Sequence, residues 1–314
     1  MIKLAHDLYK DFEEEYFNWI KEKLNGGDKL VETINGIVKK YPQYRIDSSK
    51  HEDFLKALLI NPFSKMSKGQ FQLLEAYYQF ALFNRKDPLV ITKGSAKKSD
   101  ISAILNYSQF MDYSKKNKTL REYIIEASKV EVCPYCNRQY IDMFQKSGKG
   151  YKAIAQLDHF YPKEQFPLYG LSLYNFVPSC ASCNQGKSDK TNQLIYPFAK
   201  NAKEENQKPY FKIKSEDLDH LRGNVPPEID YAFIDSDKKS HADALHHKNM
   251  YQNHSVFAQR LLQRQRLYNP SYIAQIKEFF PKLSDEEIRE VLFGFSGNLE
   301  ELKQKPLSKL AHDI

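Results

Sequence analysis

The chain has 314 residues, 47 Lys and Arg against 40 Asp and Glu for a net charge of +7, and 21 Tyr with 20 Phe. That length can bury a real core in one large or two modest domains, and the aromatic content excludes a chain disordered throughout. The expectation is a cytoplasmic protein with reduced thiols and no membrane partner. No apolar run approaches the roughly 18–20 residues of a membrane span, and residues 1–19 lack the basic-then-apolar order of a signal peptide. The mild positive excess suits a nucleic-acid partner, and it equally suits ordinary surface lysines.

In chain order, residues 7–24 read as an amphipathic helix. Leu8, Phe12, Tyr16, Trp19, Ile20 and Leu24 recur at helical spacing, and Gly26-Gly27 ends the run. Further helices are expected over 28–40, ahead of Pro42, and over 51–60, ahead of Pro62. Another should run from the capping box Ser67-x-x-Gln70 to about Arg85. Residues 86–100 mix Gly, Pro, Ser and Lys and read as a loop or linker. A short helix over 101–110 follows, then the basic cluster Lys115-Lys116-Asn117-Lys118, then a helix over 119–129 opened by Thr119-x-x-Glu122. The basic cluster reads either as a phosphate contact or as a solvated loop.

Residues 139–144 alternate as a strand, 146–150 form a turn-rich loop, and 151–157 read as a second strand that delivers Asp158 and His159. Pro162, Pro167, Gly170 and Pro178 mark 160–178 as mostly loop, carrying Asn175, and a helix is expected over 180–192. Beyond Pro197, residues 208–214 and 228–234 read as strands around Pro226-Pro227. One long helix is expected over 243–267 with Met250, Phe257 and Leu261 inward. Its Arg260, Arg264 and Arg266 read as a solvated face, with nucleic-acid backbone contact as the alternative. A helix over 272–280 and one capped by Ser284-x-x-Glu287 follow, and the apolar end at 305–310 should dock. His246 and His247 have no partner at metal spacing and read as structural or exposed.

The stretch 133–190 organises the rest. It holds all four cysteines, as Cys133-Pro134-Tyr135-Cys136 and Cys180-Ala181-Ser182-Cys183. Two C-x-x-C pairs a few dozen residues apart supply four thiolates to one tetrahedral Zn²⁺, with buried thiols or disulfides as the alternatives. Between the pairs stand Asp158, a hard ligand suited to Mg²⁺, and His159, a neutral imidazole suited to general base work. Four thiolates would close the zinc, so catalysis would need a second, oxygen-ligated metal. Asn184 follows directly on Cys183, and its side-chain oxygen is a candidate second ligand.

Asp158-His159, Asn175 and Asn184, set between two C-x-x-C pairs, resemble the Asp-His…Asn…Asn signature of HNH endonucleases, the ββα-metal nucleases, in their four-cysteine zinc subset. The likeness covers residues 130–191. The final H of the name is Asn184 here, a common variant that keeps the metal role. The flanks resemble the nuclease components of Septu and retron-associated anti-phage systems.

The resemblance implies an α+β fold: a small ββα-metal core with a four-cysteine zinc site, over 126–200. A helical region over 1–125 and a mainly helical region with a few strands over 201–314 would flank it. It implies that His159 takes a proton from water, and that Asp158 and Asn184 hold catalytic Mg²⁺ or Mn²⁺. Asn175 would hold the loop that orients the imidazole, and Lys187 would add positive charge at the phosphate. Cys133, Cys136, Cys180 and Cys183 would hold structural Zn²⁺. The expected partner is nucleic acid, DNA favoured, with RNA including tRNA as the alternative. The anti-phage resemblance implies an ATPase partner; the chain shows no Walker motif, so any ATP dependence would come from elsewhere. One active site cuts one phosphodiester, so a double-strand break needs a homodimer or two events. The contrasting class is a catalytically inactive, zinc-stapled binding or scaffold protein; the intact Asp158, His159 and Asn184 set speaks for the enzyme.

Overall fold

The computed structural model describes residues 1–37, 45–61, 101–112, 114–115, 118–145, 150–164, 167–188, 194–214, 218–232 and 236–314. The helix expected from Ser67, the 86–100 loop, and the far ends of the helices expected over 28–40 and 180–192 lie outside these residues. The fold is α+β, with helices surrounding small two-stranded sheets. Among the described residues, no helix is long and apolar enough to cross a membrane.

The helices Glu13–Lys23, Asp28–Ile37, His51–Leu59 and Leu120–Ser128 turn Tyr16, Ile20, Leu30, Leu58 and Ile124 into one core. Each large apolar side chain so buried contributes about 1.5–3 kcal/mol. The first helix starts later than its apolar spacing predicts. Leu4–Ala5 pairs in parallel with Phe198–Ala199, and the chain then makes tight turns, with Leu8, Lys10 and Phe12 N–H bonded three residues back. Tyr9 anchors these turns by donating its hydroxyl to the Phe176 carbonyl at 3.2 Å. The capping boxes at Thr119/Glu122 and Ser284/Glu287 both form as expected.

Around the first cysteine pair the chain reverses on Asn137, which adopts a left-handed φ of 49° and bonds back to the Cys133 carbonyl. This sets Val132 opposite Tyr140. The strand expected over 139–144 is therefore only a bridge at Tyr140 followed by Met143–Gln145, which pairs with Tyr151–Ala153. The strand expected over 151–157 is likewise split, and its second part, Gln156–His159, turns to a new partner, Phe176–Ser179. That partner falls within the segment read as mostly loop. All four of its residues are buried, so no in-out alternation marks it. Pro178 also argues against a strand, but in a two-stranded sheet both strands are edges and can seat a proline. Cys180 is the residue before the helix Ala181–Lys187, and Ser188 follows it with φ 48°.

The long helix expected over 243–267 is three helices: Ser236–Ala244, His247–Gln252 and Ser255–Leu267. His246 at φ 54° makes the first break, and a turn at Asn253 and His254 makes the second. Arg260, Arg264 and Arg266 are exposed, as a solvated face requires. Phe211–Lys214 pairs with Glu228–Tyr231, and this hairpin packs with Tyr251 and Leu310 in a second core. The 305–310 end docks as expected: Leu310 is buried, and the buried Lys309 ammonium donates to the Asn206 and Lys208 carbonyls and to Asp313.

Candidate functional site

The four cysteines converge. All are buried and unbridged, and their sulfurs lie within 4.8 Å of one another. Cys136 and Cys180 Sγ stand 3.9 Å apart, nearly twice the ~2.05 Å of a disulfide. Four thiolates at ~2.3 Å from one tetrahedral ion would be about 3.8 Å from each other. The cluster therefore has the donor type, burial and spacing that a zinc ion takes.

Asp158 is linked to this cluster through Tyr135. The Tyr135 hydroxyl, from inside the first cysteine pair, donates to Asp158 Oδ2 at 2.6 Å. Lys187 Nζ, one turn past Cys183, donates to Oδ1 at 3.0 Å and to the His159 carbonyl at 2.7 Å. Burial holds the Asp158 carboxyl above the ordinary carboxylate range, and the charge of Lys187 and the hydrogen bonds from Tyr135 and Lys187 offset this only in part.

His159 ends the same strand. Its Nε2 meets the Gly170 carbonyl at 3.0 Å. A carbonyl only accepts, so Nε2 carries the proton and Nδ1 keeps its lone pair. Tyr107 and Phe176 stand edge-on to the ring, with centroids at 4.6 and 5.1 Å. Burial lowers its pKa to about 4, so the imidazole is neutral at pH 7.

Asn175 is fully buried and works on the loop. Its Nδ2 donates to the Tyr161 and Tyr169 carbonyls, and its Oδ1 accepts from the Tyr161 N–H, at 2.8–3.0 Å. Tyr169 precedes Gly170, so these bonds hold the carbonyl that aligns His159. Asn184 donates its Nδ2 to Gln156 Oε1 at 2.8 Å, which leaves its Oδ1 for another partner. Arg121 braces the strand from behind by donating to the Ala155 carbonyl at 2.7 Å.

Lys187 thus ties the Asp158 carboxylate to the His159 backbone carbonyl, and Asn175 acts on the His159 ring through Gly170. Asn184 and Lys187 do not share one solvent-facing site: Asn184 bonds Gln156 while Lys187 is buried against Asp158. At the basic cluster, Lys118 bonds Glu126 at 2.5 Å and covers the Tyr151 ring, so it is committed within the fold. Tyr135, Gly170 and Gln156 join the site without having been expected there. Only Tyr135 has a signal in the sequence, its place between two cysteines. A cleft of about 310 Å³ is lined by Tyr107 and Gly170, which contact His159, and by Asn106, Ser108, Lys163 and Glu164 among others.

Neither a family model nor a solved structure matches this chain. Protein ea31 of Escherichia phage lambda is 27% identical over 140 residues, 41% of this chain and 42% of that protein. The chain thus spans less than half the length of the curated relative it matches.

Proposed function

We propose that this chain is a metal-dependent endonuclease of the HNH type, hydrolysing phosphodiester bonds in nucleic acid, with DNA the favoured substrate. The observation that carries this reading is the strand–loop–strand–helix unit around the cysteine cluster. Its first strand carries Gln156, Asp158 and a neutral His159, and Asn184 on the following helix bonds Gln156 of that strand.

In this reading His159 Nδ1 takes the proton from the attacking water, and the Gly170 carbonyl stabilises the imidazolium that forms. Asn175 keeps that carbonyl in place. One carboxylate and one amide oxygen, completed by water, are a donor set that Mg²⁺ or Mn²⁺ accepts. Asp158 and Asn184 would hold that ion, which would neutralise charge at the scissile phosphate and the leaving oxygen. Lys187 neutralises Asp158 from inside the fold rather than touching the phosphate. The cysteine cluster would hold structural zinc. An ATPase partner and a role in anti-phage defence remain part of the proposal.

The test is cleavage of plasmid, linear and single-stranded DNA and of RNA, with Mg²⁺, Mn²⁺ or EDTA, beside His159→Ala. Metal-dependent cutting that H159A loses at unchanged zinc content supports the nuclease and names its substrate. Cutting by H159A at the wild-type rate removes His159 as the base. A second reading, binding without cleavage, is favoured by the ion pair that already engages Asp158. Retardation of DNA or RNA with no cutting under any metal would select it.

A further inference from the structure

We infer that Tyr135 is a positioning residue for Asp158, coupling the cysteine cluster to the carboxylate proposed to hold the divalent cation. This rests on the nuclease reading above. Each oxygen of Asp158 is held by a group belonging to a different cysteine pair. Oδ2 takes the hydroxyl of Tyr135, which lies between Cys133 and Cys136, and Oδ1 takes the ammonium of Lys187, four residues beyond Cys183. Torsion about the last bond of an aspartate is broad and only weakly restrained by itself. Two donors on opposite oxygens remove that freedom. A carboxylate oxygen has two lone-pair sites, so each oxygen keeps one in a fixed direction.

The Tyr135 ring is fully buried among the core residues, and phenylalanine would fill the same space. The hydroxyl is what packing does not require, and its hydrogen-bond partner is Asp158. The Asp158 side chain is about as inaccessible as that of Lys187, with 5% and 1% exposure, so its orientation is not left to solvent. Tyr135 would act only through Asp158, as a group behind a metal ligand does.

The experiment is Mn²⁺ binding to the full-length protein, read from the electron paramagnetic resonance of free Mn²⁺. It compares wild type, Tyr135→Phe, Asp158→Asn and the double variant, with zinc content and circular dichroism measured on each. Y135F should keep wild-type zinc and fold yet bind Mn²⁺ roughly 10–100-fold more weakly. D158N should lose the site, and adding Y135F to D158N should change nothing more. Wild-type Mn²⁺ affinity in Y135F would overturn the inference and leave the nuclease reading standing. Wild-type affinity in D158N would instead show that Asp158 is not a ligand, and both would fall. If Y135F alone does not fold, the double variant decides: folding like D158N supports a hydroxyl serving only the carboxylate, and failure to fold overturns it.

Discussion

Lys187 Nζ stands 3.0 Å from Asp158 Oδ1 in an ion pair that solvent barely reaches. A buried pair contributes little net stability against apolar replacements, but removing one partner strands a charge. Lys187→Met should therefore cost about 3–5 kcal/mol in urea unfolding. Adding Asp158→Asn should recover part of that loss. Equal stability of K187M and wild type would mean the pair is not formed in solution.

Asn175→Ala removes three hydrogen bonds that tie Tyr161 to Tyr169. At about 1 kcal/mol each, the expected loss is roughly 2–4 kcal/mol. The effect should be local as well. Amide exchange at Tyr161 should accelerate in N175A more than exchange in the Leu120–Ser128 helix.

Cys133→Ser should yield protein without zinc that is insoluble or unfolded, because binding at a structural zinc site is itself folding free energy. Elemental analysis and circular dichroism check this. A soluble, folded C133S at full stability would remove the staple.

His241 and His247 are fully buried, and burial holds both pKa values well below 6.5. The Ile195 N–H donates to His241 Nδ1 at 3.2 Å, and His247 Nδ1 meets the Tyr210 hydroxyl at 2.9 Å. In the unfolded chain both rings take a proton near pH 6.5. Stability should thus be level above about pH 7 and fall as pH drops through 6.5, by up to about 1.4 kcal/mol per pH unit for each ring. His241→Phe should shrink the stability difference between pH 8 and pH 5. An unchanged difference would exclude His241 as a contributor.

The elements that can be read from sequence are those whose signal is local. Thr119 and Glu122 announce a cap three residues apart, and four cysteines announce a cluster by spacing alone. Asp158, His159, Asn175 and Asn184 stand out by order. What escapes is set by pairing partners far along the chain. Phe176–Ser179 is a strand because Gln156–His159 pairs with it, and its uniform burial erases the period of two. The turn at His246 carries neither Gly nor Pro. Lys187 looks like a surface cation at the end of a helix, and only its neighbours Asp158 and the His159 carbonyl reveal it as an internal one.

The loop that bears Cys133 and Cys136 is gripped by both extremes of the described chain. The Ile2 N–H donates to the Pro134 carbonyl, the Leu307 N–H to the Asn137 carbonyl, and the Glu131 and Val132 N–H groups to the Lys303 carbonyl. Asn137 adds side-chain bonds to Leu302 and Ser308, 165 and 171 residues away. Loop-closure entropy must be met before such distant contacts give any return, and non-local topology slows folding. During synthesis this loop cannot acquire its full set of neighbours until residues near 310 have left the ribosome. The first cysteine pair is then expected to wait, from its own synthesis until residues near 310 emerge, before its loop gains its full set of neighbours.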